Sequence, residues 1–290
     1  MKLENIFNEY LTRSEQIIIS QKATKEIAKS EIEKLIKLKE KTELKLSENK
    51  SNHTTYFFFI QDAKTGEIER YSTNKKTLED KIKDVFLQQN RQYQWALSES
   101  YEIFKDYVIS IYAYMGFTDR NKWPLKDFGT ILFSELENKN FDYFIKQAQI
   151  KKDIPESILN RIRATYPEYK IIESNNKLEK NLLLEIILIE HLRHLIVHCQ
   201  GMTTDKTGII NNILKKAGLW NNGKNNENYD YISSFFGVKS LNNTINLLEI
   251  EQQNETGFPN KYFDVLGNLI NSLTSVSYLI YSEIKKETSG

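Results

Sequence analysis

The chain has 290 residues and a formal net charge of +1, with 40% hydrophobic and 27% charged residues, a composition that suits a globular chain able to bury a sizeable core. Near-neutral charge excludes a generally cationic nucleic-acid binder, so any RNA contact must be a local patch. The single cysteine, Cys199, excludes an intramolecular disulfide framework and fits a reducing compartment. The N-terminus, MKLENIFNEYLTRSEQ, lacks the uninterrupted apolar core of a signal peptide, and the longest apolar run falls far short of the ~20 residues of a membrane span. A cytoplasmic protein without a membrane partner is expected. Eleven glycines and four prolines leave long, lightly punctuated periodic segments, which predict a mainly α fold.

Residues 3–48 read as one long helix. Leu3, Ile6, Phe7, Tyr10 and Leu11 form an apolar stripe, and Ile27, Ile32, Leu35, Ile36 and Leu38 a looser one. After Ser51, Asn52 and His53 (read as a loop histidine), the β-rich run Thr54 to Ile60, the turn-like DAKTG and Glu67 to Ser72 predict a β-hairpin. One hairpin alone is marginal, so it must lie against helices or against a second copy of the chain. Residues 1–75 thus form a helix-plus-hairpin extension, and residues 76–290 a helical domain.

Helix resumes from Lys75 to Tyr114, with Thr73 or Asn74 as cap. Trp95, Tyr101, Phe104, Tyr107, Val108, Ile111 and Tyr112 recur at helical spacing as a core stripe. Shorter helices follow at Ile131 to Glu137, Phe141 to Gln149 and Pro155 to Thr165, the last ended by Tyr166-Pro167. An apolar helix spans Leu178 to Gln200 with Gly201 as its cap. Another runs from Thr207 to Ala217, before an Asn-rich loop at 220–230. Phe235 to Ile250 mixes strand and helix signals, and Tyr262 to Ile284 is a final amphipathic helix with Phe263 on its buried side.

The segment Leu182 to Gly201, LLLEIILIEHLRHLIVHCQG, is the most apolar of the chain, yet it holds three of the four histidines and an arginine. Burying such groups without partners costs several kcal/mol, roughly. Arginine can hold a phosphate through paired charged donors. Imidazole can take or give a proton near neutral pH. Arg193, four residues, then His198 is therefore a pair suited to metal-independent RNA cleavage, with His194 as a further donor and Cys199 as a buried small hydrophobe.

EHLRHLIVHCQG resembles the active-site motif of the HEPN superfamily, all-α proteins many of which are RNases of bacterial defence and toxin–antitoxin systems. Arg193, His194 and His198 match its Arg, polar residue and His, and Glu190 stands where an acidic residue is often found. Ser98 to Tyr114 is similar to the first long helix of such domains, and the likeness extends from Gln88 to Tyr281. HEPN toxins controlled by nucleotidyltransferase antitoxins usually carry Tyr two residues after the His, where this chain has Gln200.

The resemblance implies a HEPN-like helical bundle with an N-terminal long helix and a small hairpin insertion. It also implies an endoribonuclease that needs no cofactor, makes a 2′,3′-cyclic phosphate and has an antitoxin or defence-system partner. Arg193 would stabilise phosphate, His198 act as general base or acid and His194 as secondary donor, with Glu190 and Glu102 in support. Arg193 and His198 lie ~140° apart around a straight helix. The family is understood to meet that geometry as a homodimer, here through the 182–201 helix. Three other readings compete. One is a non-catalytic sensor or scaffold that binds a partner protein. A second is a metal site of His191, His194 and His198 with Glu185, Glu190 or Asp106. The third is a polar network pairing Arg193 with Glu190 or Glu102.

Overall fold

The computed structural model describes residues 2–43, 54–221, 227–238, 241–252 and 261–289. His53, residues 222–226 of the Asn-rich loop and the Thr256–Asn260 punctuation lie outside them, and the last four residues of that loop, 227–230, are helical. Among the described residues the fold is mainly α, with nine α-helices and three two-stranded antiparallel sheets. No helix among them is long and apolar enough to cross a membrane.

The axis of the fold is α2 (Leu78–Thr118), whose Tyr93, Leu97, Phe104, Val108, Ile111 and Tyr112 are fully buried. It opens on a reciprocal cap, in which the Thr77 hydroxyl accepts the Asp80 amide and the Asp80 carboxylate accepts the Thr77 amide. The expected start at Lys75 is too early, because strand pairing carries β2 (Ile68–Lys76) to the edge of this cap against β1 (Thr54–Gln61). Trp95 also departs from expectation: it is 57% exposed, off the buried stripe.

α1 (Leu3–Glu43) runs antiparallel to α2, tied by Arg13–Asp106 and Lys39–Glu79, both at 3.0 Å. Its buried seam, Leu3, Phe7, Tyr10, Ser14, Ile17, Gln21, Ala28 and Leu35, steps mostly by three and four residues, the repeat of paired supercoiled helices. That repeat leaves Ile27, Ile36 and Leu38 exposed, so the predicted second stripe is not a packing face. Leu35 alone of its five residues is buried. Phe7 stacks on Tyr281 of α9 (Val265–Ser289) with ring centroids 4.6 Å apart, and the Tyr107 hydroxyl donates to the Ser277 carbonyl at 2.7 Å. The first turn of the chain thereby shares one apolar core with α2 and α9.

Short elements wrap the far end of this core. The short helix expected at 131–137 is the 3-10 helix Phe133–Asn138. α3 (Phe141–Gln149) is capped by Asn140, and α4 (Glu156–Thr165) gives way at Tyr166 to α5 (Pro167–Ser174). Pro167 starts this unforeseen helix, since its fixed φ suits a first turn. Arg163 of α4 holds Glu173 of α5 through two hydrogen bonds of 2.7 Å, and the Tyr169 hydroxyl adds a third at 2.8 Å.

The apolar helix is α6 (Leu182–Cys199), begun by Asn181, whose side chain accepts the Leu184 amide. α7 (Lys206–Lys216) and α8 (Glu227–Ser233) follow. The segment that mixed signals in sequence is β3 (Phe236–Val238) and β4 (Leu241–Ile245), then β5 (Ile250–Gln252), which pairs with β6 (Lys261–Phe263). Tyr262 and Phe263 therefore belong to a strand and are exposed, and α9 starts only after Asp264 accepts the Gly267 amide.

Candidate functional site

α6 changes character along its length. From Leu182 to Ile189 almost every side chain is buried, and from Glu190 onward one side opens: Glu190, His191 and Arg193 are half-buried, and His194, Val197, His198 and Cys199 exposed. Cys199 is thus a surface thiol, contrary to its expected burial, because it falls in the last turn on the open side. The helix stops where Gln200 and Gly201 both take positive φ, 56° and 73°, and both amides donate to the Leu195 carbonyl. At Gly201 a Cβ would lie 2.5 Å from the Gln94 amide oxygen of α2, so the close approach requires glycine.

Beyond Gly201 the chain is held by β4 and α2. The Ile245 amide donates to the Gly201 carbonyl at 2.8 Å. The buried amides of Asn90 and Gln94 each donate to the Ile245 carbonyl at 2.8 Å. These bonds fix the end of α6 on α2, which runs antiparallel to it: Gln94 meets Gly201, and Glu102 meets Arg193.

Arg193 donates through Nη2 to Oε1 of Glu102 at 2.7 Å, while its Nε is buried without a partner. Lys105 closes on the other carboxylate oxygen of Glu102. Arg193, Glu190, His191 and His194 line a cleft of about 440 Å³ whose other walls are Tyr101, Glu102 and Lys105 of α2, Ile154, and Lys216 of α7. Three cationic and two anionic side chains face this space, a local excess of positive charge in a near-neutral protein.

The histidines divide. Burial pushes the pKa of His191 below the usual imidazole range, and its Nδ1 lies 2.9 Å from the Ile187 carbonyl oxygen, which holds the ring along the helix. His194 reaches the cleft, and its ring centroid lies 4.7 Å from that of exposed His198, one turn on. His198 is outside the cleft lining. The structure therefore gathers Arg193, His194, Glu190 and Glu102, and leaves His198 joined to them only through His194. Burial, with Glu190 nearby, raises the pKa of the Tyr101 phenol, which keeps it a neutral donor.

No family model, curated protein or solved structure matches this chain.

Two of the carboxylates considered for a metal lie elsewhere. Glu185, in the first turn of α6, is buried, accepting from the Tyr231 hydroxyl at 2.7 Å and from Ser272 at 3.3 Å, and Asp106 pairs with Arg13. Among the described residues no group of three His, Cys, Asp or Glu side chains is placed to hold a metal ion. Of the two partners considered for Arg193, Glu102 is the one engaged. Lys105 and Lys216 went unmarked in the sequence. Lys105 is legible afterwards as the i+3 neighbour of Glu102, whereas Lys216 carries no local signal.

Proposed function

We propose that the chain is a metal-independent endoribonuclease of HEPN type. One observation carries the reading: Arg193, anchored at one end by Glu102, faces a cleft with a cationic excess, with His194 in its wall and His198 against His194 one turn beyond. A guanidinium so tethered meets a phosphate as a pre-aimed donor, and such electrostatic clamping is worth at least as much as proton transfer.

In the reaction one imidazole, assigned to His198, takes the proton of a ribose 2′-hydroxyl. The 2′-oxygen attacks the adjacent phosphorus, and the bond from phosphorus to the 5′-oxygen breaks. His194 returns a proton to that leaving oxygen, so a 2′,3′-cyclic phosphate and a 5′-hydroxyl result. Arg193 stabilises the charge that grows on the phosphoryl oxygens. Because Arg193 and His198 diverge around α6, a second copy completes the arrangement through the open side of this helix. The exposed stripe of His194, Val197 and His198, and exposed Trp95 two turns from Glu102 along α2, support that pairing. A role in antiviral defence or in a toxin–antitoxin pair follows from the resemblance of EHLRHLIVHCQG.

Controlled expression tests the reading in cells. The wild-type chain should arrest growth with fragmented RNA, and an equally abundant His198→Ala chain should be tolerated. Equal arrest by both chains would sink the assignment.

A further inference from the structure

Among the described residues, the hairpin β1–β2 carries the largest concentration of exposed apolar side chains. Every residue from Tyr56 to Ile60 is between 43% and 61% exposed, and Ile68 and Tyr71 exceed 70%. The packing against helices that would stabilise a lone hairpin is thus missing for most of its side chains. Both faces are aromatic. Phe57 and Phe59 sit side by side on one, with the Arg70 guanidinium 5.5 Å from the Phe57 ring centre, and Phe58 meets Tyr71 edge-on across the other.

The two edges differ. β2 carries Glu69, Arg70, Lys75 and Lys76, charges that discourage strand addition. β1, TTYFFFIQ, has no charge, no proline and no glycine, and among the described residues no strand pairs with its outer edge. An uncharged, unpaired, apolar edge is a template for another strand.

We infer that β1 pairs antiparallel with β1 of a second copy of this chain, forming a four-stranded sheet in the order β2, β1, β1 of the mate, β2 of the mate. Three arguments select a second copy. A two-fold axis sets β1 against itself with no like charges opposed, which is the arrangement a chargeless strand tolerates best. Four strands meet the threshold for a sheet stable by itself, which two do not. Pairing sets the run Tyr56 to Ile60 of one copy beside the same run of the other, which gives aromatic cross-strand neighbours on both faces of the sheet. The inference is independent of the catalytic reading, since it uses no residue of the α6 cleft.

Sedimentation equilibrium of the full chain tests it. The variants are Phe58→Glu, Phe58→Lys and their equimolar mixture, each with its helical circular dichroism checked. At concentrations where the wild type is assembled, each variant alone should show half the wild-type mass, and the mixture should regain it by pairing opposite charges. A monomeric wild type overturns the inference, and flotation of that monomer with phosphatidylcholine vesicles would assign the aromatics to a lipid surface instead. Variants that keep the wild-type mass, or a mixture that stays at the variants' mass, overturn it equally. Loss of RNA cleavage would leave all of these masses unchanged, so the two proposals fail separately.

Discussion

Replacing Glu102 by alanine separates what holds the candidate site in shape from what holds the protein together. The carboxylate engages Arg193 at 2.7 Å and Lys105 at its other oxygen, and the side chains of the Arg193–Glu102 pair are 28% and 36% exposed. A pair this open to water contributes about 0.2–1 kcal/mol to stability. For a chain of this size that corresponds to a melting shift of about 2–4 °C at most. On the proposed mechanism the effect on RNA cleavage is larger. Without its tether the guanidinium leaves its aimed position, and misplacement by about 1 Å costs on the order of 100-fold in rate, close to 2.7 kcal/mol of transition-state stabilisation. Calorimetry beside kcat/KM on a short fluorogenic RNA reads both quantities. Glu102→Gln, which keeps an acceptor for Nη2, should recover about tenfold of the loss, or roughly 1.4 kcal/mol. The reasoning is refuted if Glu102→Ala cleaves RNA at the wild-type rate, or if its melting falls so far that unfolding accounts for the lost activity.

Three further outcomes test the fold beneath the site. Glu173→Ala should destabilise the chain by about 3–5 kcal/mol, because it leaves the half-buried Arg163 without its two-bond partner; a thermal melt within a degree of wild type would contradict this. Glu185→Gln should be more stable than wild type at about pH 8, with the difference fading below about pH 4. Burial raises the folded pKa of Glu185, so its contribution is complete below the ordinary carboxylate value and lost as pH rises through the raised one. Melting curves across pH check this, and an advantage that grows toward acid has the wrong sign. Gly201→Ala should cost about 1–3 kcal/mol through positive φ and the clash with Gln94, and urea denaturation would expose a neutral substitution.

The long helices were legible because their information is local. Phe141–Gln149 has the bounds its periodicity predicted, and α6 begins four residues later than expected, at an Asn181 cap that could have been read. α1 was read with a helical period of 3.6, so Ile27 and Ile36 were placed on a packing face. The true seam accepts Ser14, Gln21 and Ala28, side chains that do not stand out as apolar. β3 and β4 were illegible for another reason. Strands of three and five residues carry little pattern, and these are secured by Asn90 and Gln94, some 150 positions away in sequence.

The candidate site divides along the same line. The Arg193-to-His198 spacing was visible in one segment, and so was the divergence of the two side chains around the helix. The choice between Glu190 and Glu102 as the partner of Arg193 depended on the antiparallel register of α2 on α6, which no local pattern encodes. The same register places Lys105 at the cleft, and α7 brings Lys216 to it from the other side.

The most direct test of the catalytic account is to incubate the purified chain with total RNA in EDTA, beside His198→Ala, and to map the ends produced. The account predicts fragments with 2′,3′-cyclic phosphates from the wild type alone. Cleavage undiminished in the variant, or cleavage only when a divalent metal is restored, would contradict it.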